Sequence, residues 1–144
     1  MKARVQWLEG RAFVGESGSG HAVVMDGAPE SGGRNLGFRP LEMLLLGLGG
    51  CTAFDVVHIL EKGREPVTAC EVELDAERAP ADPKVFTKIQ LNFKLRGRGL
   101  KPQAVERAIA LSAEKYCSAS IMLGKTAKLT HSWTIEEEEV TAPG

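Results

Sequence analysis

The sequence is short of aromatic residues, at 6% with a single tyrosine, and it holds only three cysteines and three histidines among 144 residues. It also lacks an excess of either charge: 18 Lys and Arg stand against 19 Asp and Glu, for a formal net charge of -1. A near-neutral chain gives no bulk support to a polyanion-binding surface, so no nucleic acid partner is expected. The opening MKARVQWLEG lacks the apolar run of roughly 7–15 residues that a secretory signal needs, and a cytoplasmic location is expected. Cys51, Cys70 and Cys117 are odd in number, which argues against a structural disulfide framework; any pair that bonds in a reducing compartment is redox-active. These cysteines and His21, His58 and His131 show none of the short ligand spacings of zinc sites, so no metal or other cofactor is expected.

Long hydrophobic runs are also scarce. The one tempting stretch, Leu41 to Leu60, carries Glu42, Asp55 and His58, each costly in hydrocarbon, so it reads as a buried helix of a soluble protein with no membrane contact.

What the chain does contain is enough apolar sequence, 43%, for one globular domain over residues 1–144. Residues 2–26 read as short antiparallel strands broken by glycines, with Ala3, Val5 and Trp7 on one face of the first. The glycine-rich residues 27–37 form a loop. Pro40 suits a first helical turn, and the pattern runs helical to about Lys62 and Gly63. Thr68, Cys70, Val72 and Leu74 alternate with acidic residues as one strand; Val85, Thr87, Ile89, Leu91, Phe93 and Leu95 form a stronger second one. A helix from Pro102 to about Tyr116–Cys117 buries Val105, Ala108, Ile109, Ser112 and Tyr116. Leu129, His131, Trp133 and Ile135 face inward on a last strand, and the run Glu136–Glu139 with the tail Val140–Gly144 reads as a solvated strand end and a frayed terminus. The order predicts an α+β fold with antiparallel sheet packed on helices.

Within the first helix, LGLGGCTAFD places Gly47, Gly49 and Gly50 just before Cys51, although alanine holds a helix better by roughly 1 kcal/mol per position. Two readings stay open: a break that starts a new helix at Cys51, or a smooth surface that another element approaches closely. The first would make Cys51 a first-turn residue whose thiolate is stabilised by free N–H groups. Asp55 and His58, at i+4 and i+7, continue from Cys51 as a polar stripe. Cys117 closes the second helix at the run Glu114-Lys115-Tyr116-Cys117-Ser118-Ala119-Ser120, where a thiol would be accessible, whereas Cys70 reads as core.

Three motifs in order, Gly37-Phe38-Arg39-Pro40-Leu41-Glu42 leading into Gly49-Gly50-Cys51-Thr52, then Asp55-Val56-Val57-His58, then Glu114-Lys115-Tyr116-Cys117-Ser118, resemble the osmotically inducible protein C / organic hydroperoxide resistance (OsmC/Ohr) family. Within it the YhfA-like branch is the nearest in pattern. The resemblance implies an intertwined homodimer in which antiparallel sheets wrap two central helices, with active sites at the subunit interface. It also implies a thiol peroxidase for organic hydroperoxides, with Cys51 as the peroxidatic and Cys117 as the resolving cysteine. Glu42 matches the family glutamate, and Arg39 is the chosen arginine, with Arg11 as its rival. In this scheme Arg39 lowers the Cys51 pKa and binds the peroxide while Glu42 holds the guanidinium. The Cys51 sulfenic acid condenses with Cys117, and an external dithiol, for which the family implies a lipoylated protein, reduces the disulfide. A non-catalytic dimer that binds small apolar ligands or senses redox stress is the alternative. A hot-dog acyl-thioesterase fits poorly, because two long helices are separated by two strands.

Overall fold

A computed structural model describes residues 1–138. The expected frayed tail Val140–Gly144 lies outside the described residues. The contacts of the chain form two compact units, Met1–Leu46 and the residues from Gly47 onward.

In the first unit, β1 (Ala3–Glu9), β2 (Ala12–Ser17) and β3 (Ala22–Met25) form an antiparallel sheet in sequence order. Trp7 pairs with Phe13, and Phe13 with Met25. β1 buries no residue in the chain, and Val5 and Trp7 are 62% and 63% exposed. The glycine-rich loop is organised by Asp26, which is buried. Its carboxylate accepts the backbone N–H of Gly27 at 2.7 Å and those of Arg34 and Leu36 at 3.3 Å. Burial pushes the Asp26 pKa up, but these amides outweigh it and hold the group below the usual carboxylate range.

Helix α1 runs unbroken from Pro40 to Lys62, so the glycines do not start a new helix at Cys51. Pro40 opens it, where a missing N–H costs nothing, and it ends at Gly63, whose N–H donates to the Ile59 carbonyl at 3.0 Å. Close approach explains one glycine: a Cβ on Gly49 would sit 2.8 Å from Leu74 Cδ1 on the neighbouring strand. At Gly47 and Gly50 a Cβ would meet nothing within 4 Å among the described residues.

The second unit carries β4 (Val67–Arg78), β5 (Phe86–Gly97), α2 (Pro102–Leu111), a π-helical segment Ser112–Tyr116, α3 (Ser118–Leu123) and β6 (Lys128–Glu137). The sheet order is β4-β5-β6. β4 and β5 are antiparallel, but β5 and β6 are parallel, from Lys88 opposite Lys128 to Gly97 opposite Glu137. The expectation of purely antiparallel sheet is thereby corrected. The helices between β5 and β6 form the long crossover that a parallel pair requires and a hairpin cannot supply. The α+β class with two sheets and helices stands.

Central strand β5 supplies Ile89, Leu91, Phe93 and Leu95 to the core; α1 adds Leu48, Val56 and Leu60, and α2 adds Val105 and Ala108, all at most 2% exposed. Each such aliphatic or aromatic side chain contributes roughly 1.5–3 kcal/mol by leaving water. The expected inward set of β5 fails at one end, where Val85 and Thr87 are exposed and Phe86 is buried. A register shift between Glu77 and Arg78 places Phe86 opposite Arg78 and exchanges the faces there.

Candidate active site

Helix α1 presents Cys51, Thr52 and Asp55 along little more than one turn, with Cys51 and Asp55 on one face by their i,i+4 spacing. The second side of the site comes from the π-helical segment. Its wide turn closes when the Cys117 N–H donates to the Ser112 carbonyl at 2.8 Å, an i→i+5 bond. That phase change turns Tyr116 outward, 54% exposed, and Cys117 inward, 0% exposed. Both outcomes correct the sequence reading, which buried Tyr116 and made the Cys117 thiol the accessible one.

The result is a cluster. Cys51 Sγ, Cys117 Sγ and an Asp55 carboxylate oxygen all lie within 4.8 Å of one another. Both thiols are free; Cys51 is partly exposed and Cys117 buried. Cys117 also caps α3, its sulfur accepting the Ser120 N–H at 3.3 Å. The buried Thr52 Oγ1 lies 3.5 Å from the same sulfur and donates to the Leu48 carbonyl at 2.8 Å. Ser112 Oγ donates to Asp55 Oδ2 at 2.9 Å and fixes the carboxylate beside the thiols. Asp55 also lines a pocket of about 640 Å³ with His58, Lys62, Arg107, Leu111 and Tyr116.

These surroundings act oppositely on the two sulfurs. Burial raises the Cys117 pKa, but hydrogen bonds from Ser120, Thr52 and the Cys51 thiol outweigh it, and the group falls below its ordinary value. Burial raises the Cys51 thiol, and donating to Cys117 and facing the negative charges of Cys117 and Asp55 raise it further, against one Ala119 amide. The sequence reading expected the lowered thiol at Cys51; the unbroken helix removes the N-terminus that would have lowered it. The two sulfurs titrate as one pair, and the hydrogen bonds that Ser120 and Thr52 direct at Cys117 favour the anion on that side.

Arg39 and Glu42 lie in the first unit and meet each other. The Arg39 backbone N–H donates to Glu42 Oε1 at 2.8 Å, the arrangement of a helix cap, and the Arg39 guanidinium donates to Asn35 Oδ1 at 3.1 Å. Guanidinium and carboxylate come no nearer than 3.8 Å through one nitrogen, with both side chains about half-exposed. They do not form the bidentate pair expected. Arg11 is exposed, at 3.5 Å from the Gly10 carbonyl. Cys70 stands apart on β4, partly buried, and burial alone raises its thiol. Thr52, Ser112 and Ser120 were missed as site residues. The i+4 spacing from Cys51 signalled Asp55, but no local pattern marks Ser112.

A family model described as "OsmC-like protein" matches residues 32–132. The protein YhfA of Escherichia coli strain K12 is 52% identical over 135 residues, covering 94% of this chain and 98% of that protein. Among solved structures, a hypothetical protein from Aquifex aeolicus VF5 superposes with a TM-score of 0.84 at 28% identity, over 96% of this chain and 97% of the other. An organic hydroperoxide resistance protein OsmC from Legionella pneumophila shares the fold at a TM-score of 0.70 and 16% identity, over 92% and 95% of the two chains. With the matched model covering most of its length and a relative above half identity along nearly all of it, this chain belongs to the OsmC-like protein family.

Proposed function

We propose that this protein is a dithiol peroxidase that reduces organic hydroperoxides with Cys51 and Cys117. The observation that carries the reading is the meeting of two free thiols within 4.8 Å, one sulfur buried among hydrogen-bond donors and the other partly open. The family's hydroperoxide-resistance members supply the substrate class.

In this mechanism the pair loses one proton, and the charge rests first on Cys117. Cys51 is the sulfur a peroxide can reach, so its proton passes to Cys117 as its lone pair attacks the terminal peroxide oxygen. The O–O bond breaks, the alcohol leaves with a proton taken from water, and Cys51 becomes a sulfenic acid. The Cys117 sulfur then attacks the Cys51 sulfur, expelling water and forming the disulfide. An external dithiol, for which a lipoylated protein is the proposed source, returns two electrons and two protons.

Arg39, with Glu42, is assigned to the peroxide end of the site in an assembled homodimer, where a guanidinium would donate to the peroxide oxygens. Family pattern supports that assignment; a cap is what the two residues form within their own unit. The homodimer draws its support from uncovered apolar side chains: Val5 and Trp7 on β1, Leu44, Leu46 and Phe54 on α1, the last 73% exposed. A cytoplasmic location fits thiols kept reduced.

The test is rapid mixing of reduced protein with cumene hydroperoxide, followed by peptide mapping. A Cys51–Cys117 disulfide is expected in the wild type, and a trappable Cys51 sulfenic acid in Cys117→Ser. No peroxide consumption, or consumption that survives Cys51→Ser, overturns the proposal. The raised Cys51 thiol favours a second reading, a redox sensor that oxidises once; failure of a dithiol to sustain repeated turnover selects it.

A further inference from the structure

The same cluster has a donor set that electron transfer between thiols does not use in full. Cys51 and Asp55 stand at i and i+4 on one helix face, a spacing at which helices hold metal ions, and Cys117 approaches them from the α2–α3 side. Zinc at about 2.3 Å from sulfur and about 2.0–2.2 Å from a carboxylate oxygen needs tetrahedral ligand–ligand distances of about 3.6–3.8 Å. The three donor atoms already lie within 4.8 Å of one another, so each pair closes by at most about 1.2 Å on binding.

Two further features suit an ion. The Ser112 hydroxyl donates to Asp55 Oδ2 at 2.9 Å, which orients the carboxylate as outer-shell partners do at metal sites. Cys51 is partly exposed, so water can reach the cluster from that side as a fourth ligand.

We propose that the reduced protein binds one borderline-soft divalent ion of the zinc type per chain through Cys51 Sγ, Asp55 carboxylate and Cys117 Sγ, with the fourth position open. Two sulfur–metal bonds form as the two thiol protons leave to solvent. The bound ion occupies the lone pairs with which either sulfur would attack an electrophile, so the loaded chain is protected from oxidation. A disulfide between the same sulfurs removes both thiolate ligands and abolishes the site. The site concerns the reduced thiols alone and does not depend on the peroxidase reading.

Reduced full-length protein is titrated with zinc chloride against a chromophoric chelator, without peroxide, and in parallel with cobalt(II) as a spectroscopic probe. One zinc per chain is expected, together with a cobalt spectrum that shows thiolate-to-metal charge transfer and visible bands of tetrahedral intensity. Asp55→Asn weakens zinc binding by at least tenfold, and Cys51→Ser and Cys117→Ser each weaken it by more. Binding that is unchanged in Asp55→Asn, an octahedral cobalt spectrum, or no zinc binding at one per chain overturns the proposal. The cobalt spectrum is read on the wild type, so the result stands even if a variant misfolds. Zinc binding without peroxide-driven disulfide formation would remove the peroxidase reading and leave the site, and the reverse result would do the opposite.

Discussion

Replacing Thr52 by valine keeps the shape of a fully buried side chain and deletes one hydroxyl. That hydroxyl lies 2.8 Å from the Leu48 carbonyl and 3.5 Å from Cys117 Sγ, and its single proton serves one acceptor at a time. While Cys117 is a thiol, the proton goes to Leu48 and the S–H points at Oγ1. Once Cys117 ionises, the hydroxyl turns to the thiolate, and the Leu48 carbonyl keeps the helical N–H of residue 52. A neutral hydrogen bond is worth about 0.5–1.5 kcal/mol and one to a charged group about 1.5–3 kcal/mol. A long bond to sulfur takes the low end of both ranges, so the thiolate loses about 1 kcal/mol more than the thiol. That difference raises the first ionisation of the pair by about 0.7 pH units and slows alkylation below it about fivefold. Iodoacetamide labelling across pH, with peptide mapping to separate Cys51 from Cys117, measures it. An unshifted profile in a folded Thr52→Val protein refutes the claim that Thr52 helps hold the charge on Cys117.

Three further outcomes are expected. Gly49→Ala places a Cβ 2.8 Å from Leu74 Cδ1, the tip of a side chain that can turn aside; overpacking at the low end of roughly 1–3 kcal/mol offsets the helix gain of about 1 kcal/mol, and an unfolding free energy within about 1 kcal/mol of the wild type is expected in urea. Ser112→Ala removes the donor that orients the Asp55 carboxylate and costs about 1–3 kcal/mol in urea unfolding. Burial holds the His131 pKa below its ordinary value. Above about pH 6.5 neither the folded nor the unfolded chain carries this proton, but below it the unfolded chain binds one that the folded chain refuses. Stability therefore falls as pH drops below that value, and a pH series of thermal melts should show the fall reduced in His131→Gln.

Much of the fold was legible because its signals are local. Pro40 and Gly63 bracket α1, and the alternation from Ile89 to Leu95 marks β5 without ambiguity. What escaped depends on partners distant in sequence or on a change of helical phase. Nothing in Leu129 to Ile135 says which direction β6 runs beside β5, since an inward-facing alternation serves parallel and antiparallel pairing equally. Phe86 replaced Val85 inside because one extra residue, Thr87, bulges out of β5 between Lys88 and Phe86, an irregularity that only the pairing with Glu77 and Arg78 defines. The site divides the same way. Cys51 and Cys117 could be singled out by their setting, and Asp55 by its spacing, but which sulfur is buried follows from the π-helical segment, which composition does not announce. For Arg39 and Glu42 the first-turn position was readable, and the cap they form is the local consequence of it.

That wide turn makes the spacing between α2 and Cys117 a length-sensitive part of the molecule. Removing one residue from Ser112–Tyr116 would restore ordinary helical winding and swing the following position about 100° around the axis. Every thiol would still be present, yet the sulfurs would face different directions. Chemistry here thus rests on a count of backbone atoms as much as on the identity of any side chain.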